Sequence, residues 1–127
     1  MLSKLEIHTT LPVQDLQRAK RFYAEKLGMT PKSELAGGLV YQCKGAWFLL
    51  YPSGGKSSGE FTQMGFDTDN IEAEMAQLRS RGVVFEEYNW PDFKTVNGIF
   101  TTSDSRAAWF KDSEGNLLGI VQLDNKV

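Results

Sequence analysis

Apolar side chains recur at three-and-four spacing through Leu16, Ala19, Phe22, Tyr23 and Leu27, the pattern of a helix with one buried stripe. Asp15 stands where an N-cap is wanted and Gly28 where a left-handed stop is wanted, so a helix is predicted between them. A second helical pattern covers residues 70–81, with Ile71, Met75 and Leu78 inward and Gly82 beyond it. Elsewhere the pattern is that of strands, with alternation or short apolar runs bounded by turn residues. Before the first helix lies the run 5–13, and after it come 29–35, 39–43 and 46–51, separated by Gly37-Gly38 and Lys44-Gly45. Around the second helix lie 60–68 in front and 83–88, 106–111 and 117–123 behind. The last two are joined by a hairpin turn at Asp112-Ser113-Glu114-Gly115-Asn116.

The order strand, helix, three strands therefore occurs twice. Between the copies, Pro52-Ser53-Gly54-Gly55-Lys56-Ser57-Ser58-Gly59 breaks all periodicity and has the composition of a flexible linker. The prediction is one α+β domain over residues 1–127, built from two tandem βαβββ modules at about 1–52 and about 60–123. Superposing the halves on their helix starts places Asp15 over Asn70 and His8 over Gln63; superposing the final hairpins on Gly45 and Gly115 places Leu49 over Gly119. The tripeptide Ala46-Trp47-Phe48 returns as Ala108-Trp109-Phe110, but on the opposite side of the hairpin turn, so it aligns nothing.

Composition narrows the function classes. The longest apolar stretch, 46–51, is far below the roughly 20 residues that span a bilayer, and residues 1–6 carry no secretory pattern, so a cytoplasmic protein without a membrane partner is expected. Net charge is −2, with Lys and Arg scattered, which argues against nucleic acid. The single Cys43 cannot form an internal disulfide and sits in an apolar alternation, as a buried thiol does. Gly55-Lys56-Ser57 precedes a strand, not a helix, and is no phosphate loop.

The segment His8-Thr9-Thr10-Leu11-Pro12-Val13-Gln14-Asp15-Leu16, followed by Phe22-Tyr23 and Leu27-Gly28, resembles the first module of the vicinal oxygen chelate superfamily, which includes glyoxalase I, bleomycin-resistance proteins, fosfomycin-resistance enzymes and extradiol dioxygenases. Trp109-Phe110-Lys111-Asp112-Ser113-Glu114-Gly115-Asn116 resembles its closing hairpin, with Ser113 in place of proline. The resemblance implies curled mixed sheets around a shared cavity, often completed across a homodimer. It also implies that the metal-holding positions of the family correspond to His8, Leu49, Gln63 and Gly119 here. Only His8 and Gln63 carry donors, whereas a catalytic ion commonly takes three protein ligands. Asp112 and Glu114 read as turn-forming carboxylates in a solvated hairpin. No cofactor is therefore expected, and no catalytic residue is assigned.

His8 has three readings: a hydrogen-bonded strand histidine, a ligand contact without metal, or a metal ligand. Gln63 has two, a hydrogen-bonded strand polar residue or a contact to a bound molecule. Tyr41, Trp47, Tyr51, Trp90, Phe93 and Trp109 supply the aromatic lining of a small-molecule pocket, and Trp90-Pro91-Asp92-Phe93 is either a lid or a segment packed on the sheet or on a second subunit. The expected protein is a homodimeric binder of a small, partly apolar molecule, with His8, Trp47, Leu49, Gln63, Trp90, Phe93 and Gly119 at the site. The alternative is a metal-dependent lyase or dioxygenase using His8 and Gln63.

Overall fold

The computed structural model describes residues 1–125, so the last two positions of the 1–127 domain lie outside the described residues. After a short 3-10 turn at Leu2–Lys4, the first module runs β1 (Thr9–Val13), α1 (Leu16–Leu27), β2 (Ser33–Leu35), β3 (Gly38–Cys43) and β4 (Ala46–Pro52). The second runs β5 (Thr62–Asp67), α2 (Ile71–Ser80), β6 (Asn89–Trp90), β7 (Phe93–Lys94), β8 (Phe100–Thr101), β9 (Ser105–Lys111) and β10 (Leu117–Leu123). The sheets have the orders β1-β4-β3-β2 and β5-β10-β9-β8, the same order twice, with β6-β7 as a separate small hairpin. In each sheet the first strand is parallel to the last, and the remaining pairs are antiparallel. The predicted α+β architecture of two βαβββ modules is therefore present. The two mixed sheets do not close on each other.

Local chemistry explains both helices. Asp15 accepts a hydrogen bond from the Arg18 amide at 3.0 Å, and Asn70 does the same for Ala73 at 3.1 Å. Gly28 ends α1 in the left-handed region, at φ 68°. The helices turn Ala19, Tyr23, Ile71 and Met75 into a common core with Leu11, Val13, Phe48 and Leu50 from one sheet and Ala108, Phe110, Leu118 and Ile120 from the other. Phe48 meets Phe66 edge to face across the module boundary, with centroids 6.5 Å apart. Because strand side chains alternate, burying Leu11, Val13, Phe48 and Leu50 leaves Thr10, Pro12, Trp47, Leu49 and Tyr51 on the face away from the helix. Among the described residues no helix is long and apolar enough to cross a membrane.

Two expectations need correction. The run 83–88 is not a strand. Phe85 makes a single bridge to Phe110, and Glu86 donates its N–H to Trp109, before the chain leaves the sheet. Thr95 then donates its amide to the Tyr88 carbonyl and accepts from the Tyr88 amide through Oγ1, which seals off the inserted β6-β7 hairpin. The edge place beside β9 is completed by β8, so 83–88 and 100–101 each fill part of it.

Nor is the 112–116 turn solvated: Asp112, Glu114 and Asn116 are all buried. It docks on the start of α1, where the first backbone N–H groups lack helical partners. Glu114 Oε1 accepts from the Gln14 and Asp15 amides at 3.0 and 2.9 Å, and Arg18 donates to both carboxylate oxygens at 2.9 and 2.8 Å. Asp112 accepts from the buried Tyr23 hydroxyl at 2.7 Å and from the amides of Glu114 and Asn116. Asn116 Nδ2 donates to the Pro12 carbonyl at 2.9 Å. Burial, reinforced by Asp112, pushes the Tyr23 phenol well above its ordinary range.

The hydrogen bonds from Arg18, seconded by those from Asp15, Ser113 and Gln14 and opposed by burial, bring the Glu114 carboxyl down to about 2. A depressed carboxyl stabilises the folded state above its unfolded value and loses that contribution as pH falls toward the folded one. Unfolding midpoints should therefore drop between about pH 5 and pH 2, and less steeply for Glu114→Gln. That variant should cost about 2–3 kcal/mol at neutral pH, because it leaves donors buried without their charged acceptor. Urea titrations at several pH values measure both. Tyr41, whose hydroxyl is buried without a hydrogen-bond partner among the described residues, should accept Phe at no cost or with a gain of about 1 kcal/mol in the same assay.

Candidate functional site

The open face of the first sheet carries His8, Trp47 and Leu49. His8 immediately precedes β1, and the parallel register that sets Thr9 beside Phe48 brings His8 alongside Trp47. Their rings stack at 3.8 Å between centroids and 13° between planes. Leu49 lies in the next row, between Thr10 and Val40. His8 is exposed, and Trp47 and Leu49 are half-buried. The result is an aromatic platform edged by an aliphatic side chain.

On the second sheet, Gly119 pairs with Gly65 on one side and Trp109 on the other. The Trp109 indole leans over it: a Cβ built on Gly119 would sit 3.5 Å from Trp109 Cδ1 and Nε1, and 3.6 Å from Thr62 Cγ2. One carbon would already be in van der Waals contact, and a longer side chain directed the same way meets the ring. Trp109 is fixed by donating Nε1–H to Thr62 Oγ1 at 2.8 Å. Around it the inserted hairpin builds an aromatic cluster. Phe93 stacks on Phe100 at 4.3 Å and touches Trp109 at 5.3 Å, while Tyr88 contacts Trp90, Phe93 and Trp109. Phe93 is half-buried in this cluster, whereas Trp90 remains 59% exposed. The hairpin is thus a segment packed on the sheet with one indole left outward.

Gln63 belongs elsewhere. Its Nε2 donates to Asn116 Oδ1 at 3.0 Å, and its Oε1 accepts from Ser57 Oγ at 2.5 Å and from the Leu117 amide at 3.2 Å. All of these tie the linker and β5 to the docked turn. The predicted residues therefore divide into His8, Trp47 and Leu49 on one open face, Gly119, Trp90 and Phe93 on the other, and Gln63 in the junction. Neither of the two clefts described next is lined by any of them. One, of about 300 Å³, lies between the modules against Leu27, Cys43, Phe66 and Phe110; the other, of about 680 Å³, lies beside α2.

Tyr88, Thr62 and Phe100 escaped the sequence reading because they lie in the irregular edge or at a strand start. Trp109 was legible: with Ala108 and Phe110 buried, alternation sends it to the open face. The repeated Ala-Trp-Phe tripeptide, which aligns nothing, nevertheless buries its Phe and leaves its Trp half-buried on the open face in both sheets.

As placed, the four family positions do not fit a divalent ion. Gln63 is spent on protein partners, Leu49 has no donor, Gly119 is overlain by an indole, and of the four only His8 has a donor side chain without a hydrogen-bond partner among the described residues. Asp112 and Glu114 are committed to the turn. Among the described residues no three His, Cys, Asp or Glu side chains are grouped to hold a metal.

The family model described as Glyoxalase/Bleomycin resistance protein/Dioxygenase superfamily matches residues 7–120. The chain belongs to that superfamily. No curated protein sequence gives a significant match. Among solved structures, TnmS3, an antibiotic-binding protein from a Streptomyces species, shares 24% identity over 94% of this chain and 97% of its own, with a TM-score of 0.63. The fosfomycin-resistance protein FosX of Listeria monocytogenes shares 17% over 100% of this chain and 94% of its own, with a TM-score of 0.70. Lactoylglutathione lyase from Agrobacterium tumefaciens shares 19% over 93% and 92%, with a TM-score of 0.63. At these identities the likeness is one of fold, and members of one superfamily with this fold include both binding proteins and enzymes.

The contact between Trp109 and Gly119 gives a direct test. Gly119→Glu should destabilise by about 1–3 kcal/mol through overpacking. In a Trp109→Ala background the same substitution should cost at least about 1 kcal/mol less, a coupling that a double-mutant cycle of urea unfolding reads out.

Proposed function

We propose that this superfamily member binds a small, partly apolar molecule against the aromatic open faces of its two sheets, without a metal ion, as a cytoplasmic homodimer. The observation that carries the reading is the exchange of chemistry at the family positions: Trp109 lies over Gly119, and His8 stacks on Trp47. Both surfaces suit an aromatic or planar group, since offset stacking adds about 0.5–1.5 kcal/mol per ring pair beyond burial. A chain that kept Leu49 and Gly119 at two donor positions has surfaces for contact instead of coordination. TnmS3 binds an antibiotic with the same fold, which makes an antibiotic-sized ligand the first class to try.

The shape of the single chain supports a dimer. Each sheet is covered by its helix on one side only, and both open faces carry large aromatic groups, including the 59% exposed Trp90. Contiguous exposed apolar surface of this kind marks an interaction site, and a two-fold pair of chains would enclose both faces symmetrically.

The test is titration of the purified protein with bleomycin and with planar aromatic antibiotics, followed by tryptophan fluorescence and calorimetry. Saturable quenching is expected, weakened roughly three- to tenfold by Trp47→Ala and by Trp109→Ala separately. Sedimentation should give the mass of two chains. One divalent ion held per chain and lost on His8→Ala, or binding indifferent to both tryptophans, would reject this reading and favour the metal-dependent lyase or dioxygenase.

A further inference from the structure

The cleft of about 680 Å³ lies apart from both open faces, between α2, the edge of the second sheet and the loop that follows β7. Its size falls within the range of small-molecule sites. The floor is apolar, formed by Met75, which is 1% exposed, and the half-buried Ile99. Three cations line it, Arg79, Lys94 and Arg106, against one carboxylate, Glu72. That carboxylate is already taken by Arg106, Nη2 to Oε1 at 2.5 Å. The Lys94 ammonium and the Thr101 hydroxyl have no partner among the described residues.

The wall of the cleft is preformed. Asn97 and Gly98, at φ 53° and 80°, make a two-residue hairpin turn of the kind Asn-Gly favours, closed by reciprocal Val96–Ile99 hydrogen bonds of 2.8 and 3.0 Å. A Cβ at Gly98 would approach Met75 Cε within 3.1 Å and both Arg79 Nη2 and Phe85 Cβ within 3.2 Å, so glycine is what lets the turn seat this close. Arg79 donates Nη2–H to the Asn97 carbonyl at 2.9 Å, and its guanidinium lies 5.1 Å from the centre of the Phe85 ring. Glu87, a carboxylate near Arg79, is engaged by Thr95 and the Gly98 amide and does not line the cleft.

We propose that this cleft is a second ligand site, taking a small amphiphilic anion: a carboxylate, phosphate or sulfonate on an apolar body. Excess fixed positive charge with unused donors matches the anion, and Met75 and Ile99 match the body. Lys94 ends the strand whose Phe93 packs on Trp109, so the two sites share one strand.

The full chain, labelled with nitrogen-15, is titrated with phenyl phosphate and followed by amide shifts. Saturable changes are expected at Arg79, Lys94 to Thr101 and Arg106, with affinity falling as salt rises. Lys94→Gln, a change at a side chain with no partner to lose, should weaken binding roughly tenfold, and Arg79→Gln should do so at least as much. Inorganic phosphate, lacking the ring, should bind several-fold more weakly. Absence of saturation up to about 10 mM, shifts confined to the Trp47 or Trp109 faces, unchanged affinity in Lys94→Gln, or equal binding of inorganic phosphate would each overturn the assignment.

Discussion

The docking of one turn on one helix start holds the two halves of this chain in register. A helix begins with backbone N–H groups that its own ladder cannot use, and a buried carboxylate needs several donors to offset its lost hydration. Glu114 and the start of α1 satisfy each other, with Arg18 completing the set. Neither module contains both parts, so Glu114 meets its Gln14, Asp15 and Arg18 donors only when the two modules are together. Asp112 and Asn116 extend the same network to Tyr23 and to the Pro12 carbonyl, fixing the turn against both the helix and the strand before it.

That constraint propagates into the candidate site. β10 starts directly after the docked turn, and its pairing with β5 slips by one residue between Leu117 and Leu118, where Gln63 is drawn down to Asn116 and the Leu117 amide. The slip turns the Gln63 side chain to the junction and brings Gly119 opposite Gly65 and beside Trp109. The engagement of Gln63 by protein partners and the overlay of Gly119 by an indole thus trace partly to the same local geometry.

Much of this was legible in the sequence. The helix spacing of Leu16 to Leu27 and its Asp15 and Gly28 caps depend on local preferences and fixed periods, and they are found as read; the doubled sheet order is present too, with five strands after α2 in place of three. The alternation in β9, with Ala108 and Phe110 buried and Trp109 on the open face, follows the period-two rule, whereas β10 is buried continuously from Leu117 to Ile120. What could not be read has a common physical cause. Val83 and Phe85 are buried while Val84 is 78% exposed, an ideal strand pattern, yet the segment pairs only once, because β8 takes the rest of the same edge. Asp112 and Glu114 look like turn carboxylates, and they are; their burial depends on a helix some 90 to 100 residues away in sequence. The commitment of Gln63 depends on a register slip that no pattern of residue types announces.

The divided edge of the second sheet separates what is fixed in this molecule from what is free. β9 and β10 are held by their own pairing and by the docked turn, and the two short pieces beside β9 anchor the insertion at both ends. The chain between those anchors can lengthen, shorten or exchange its aromatic residues without moving a single pair in the central strands. Descent with modification can therefore rewrite the outer surface of this sheet while leaving the folding problem unchanged.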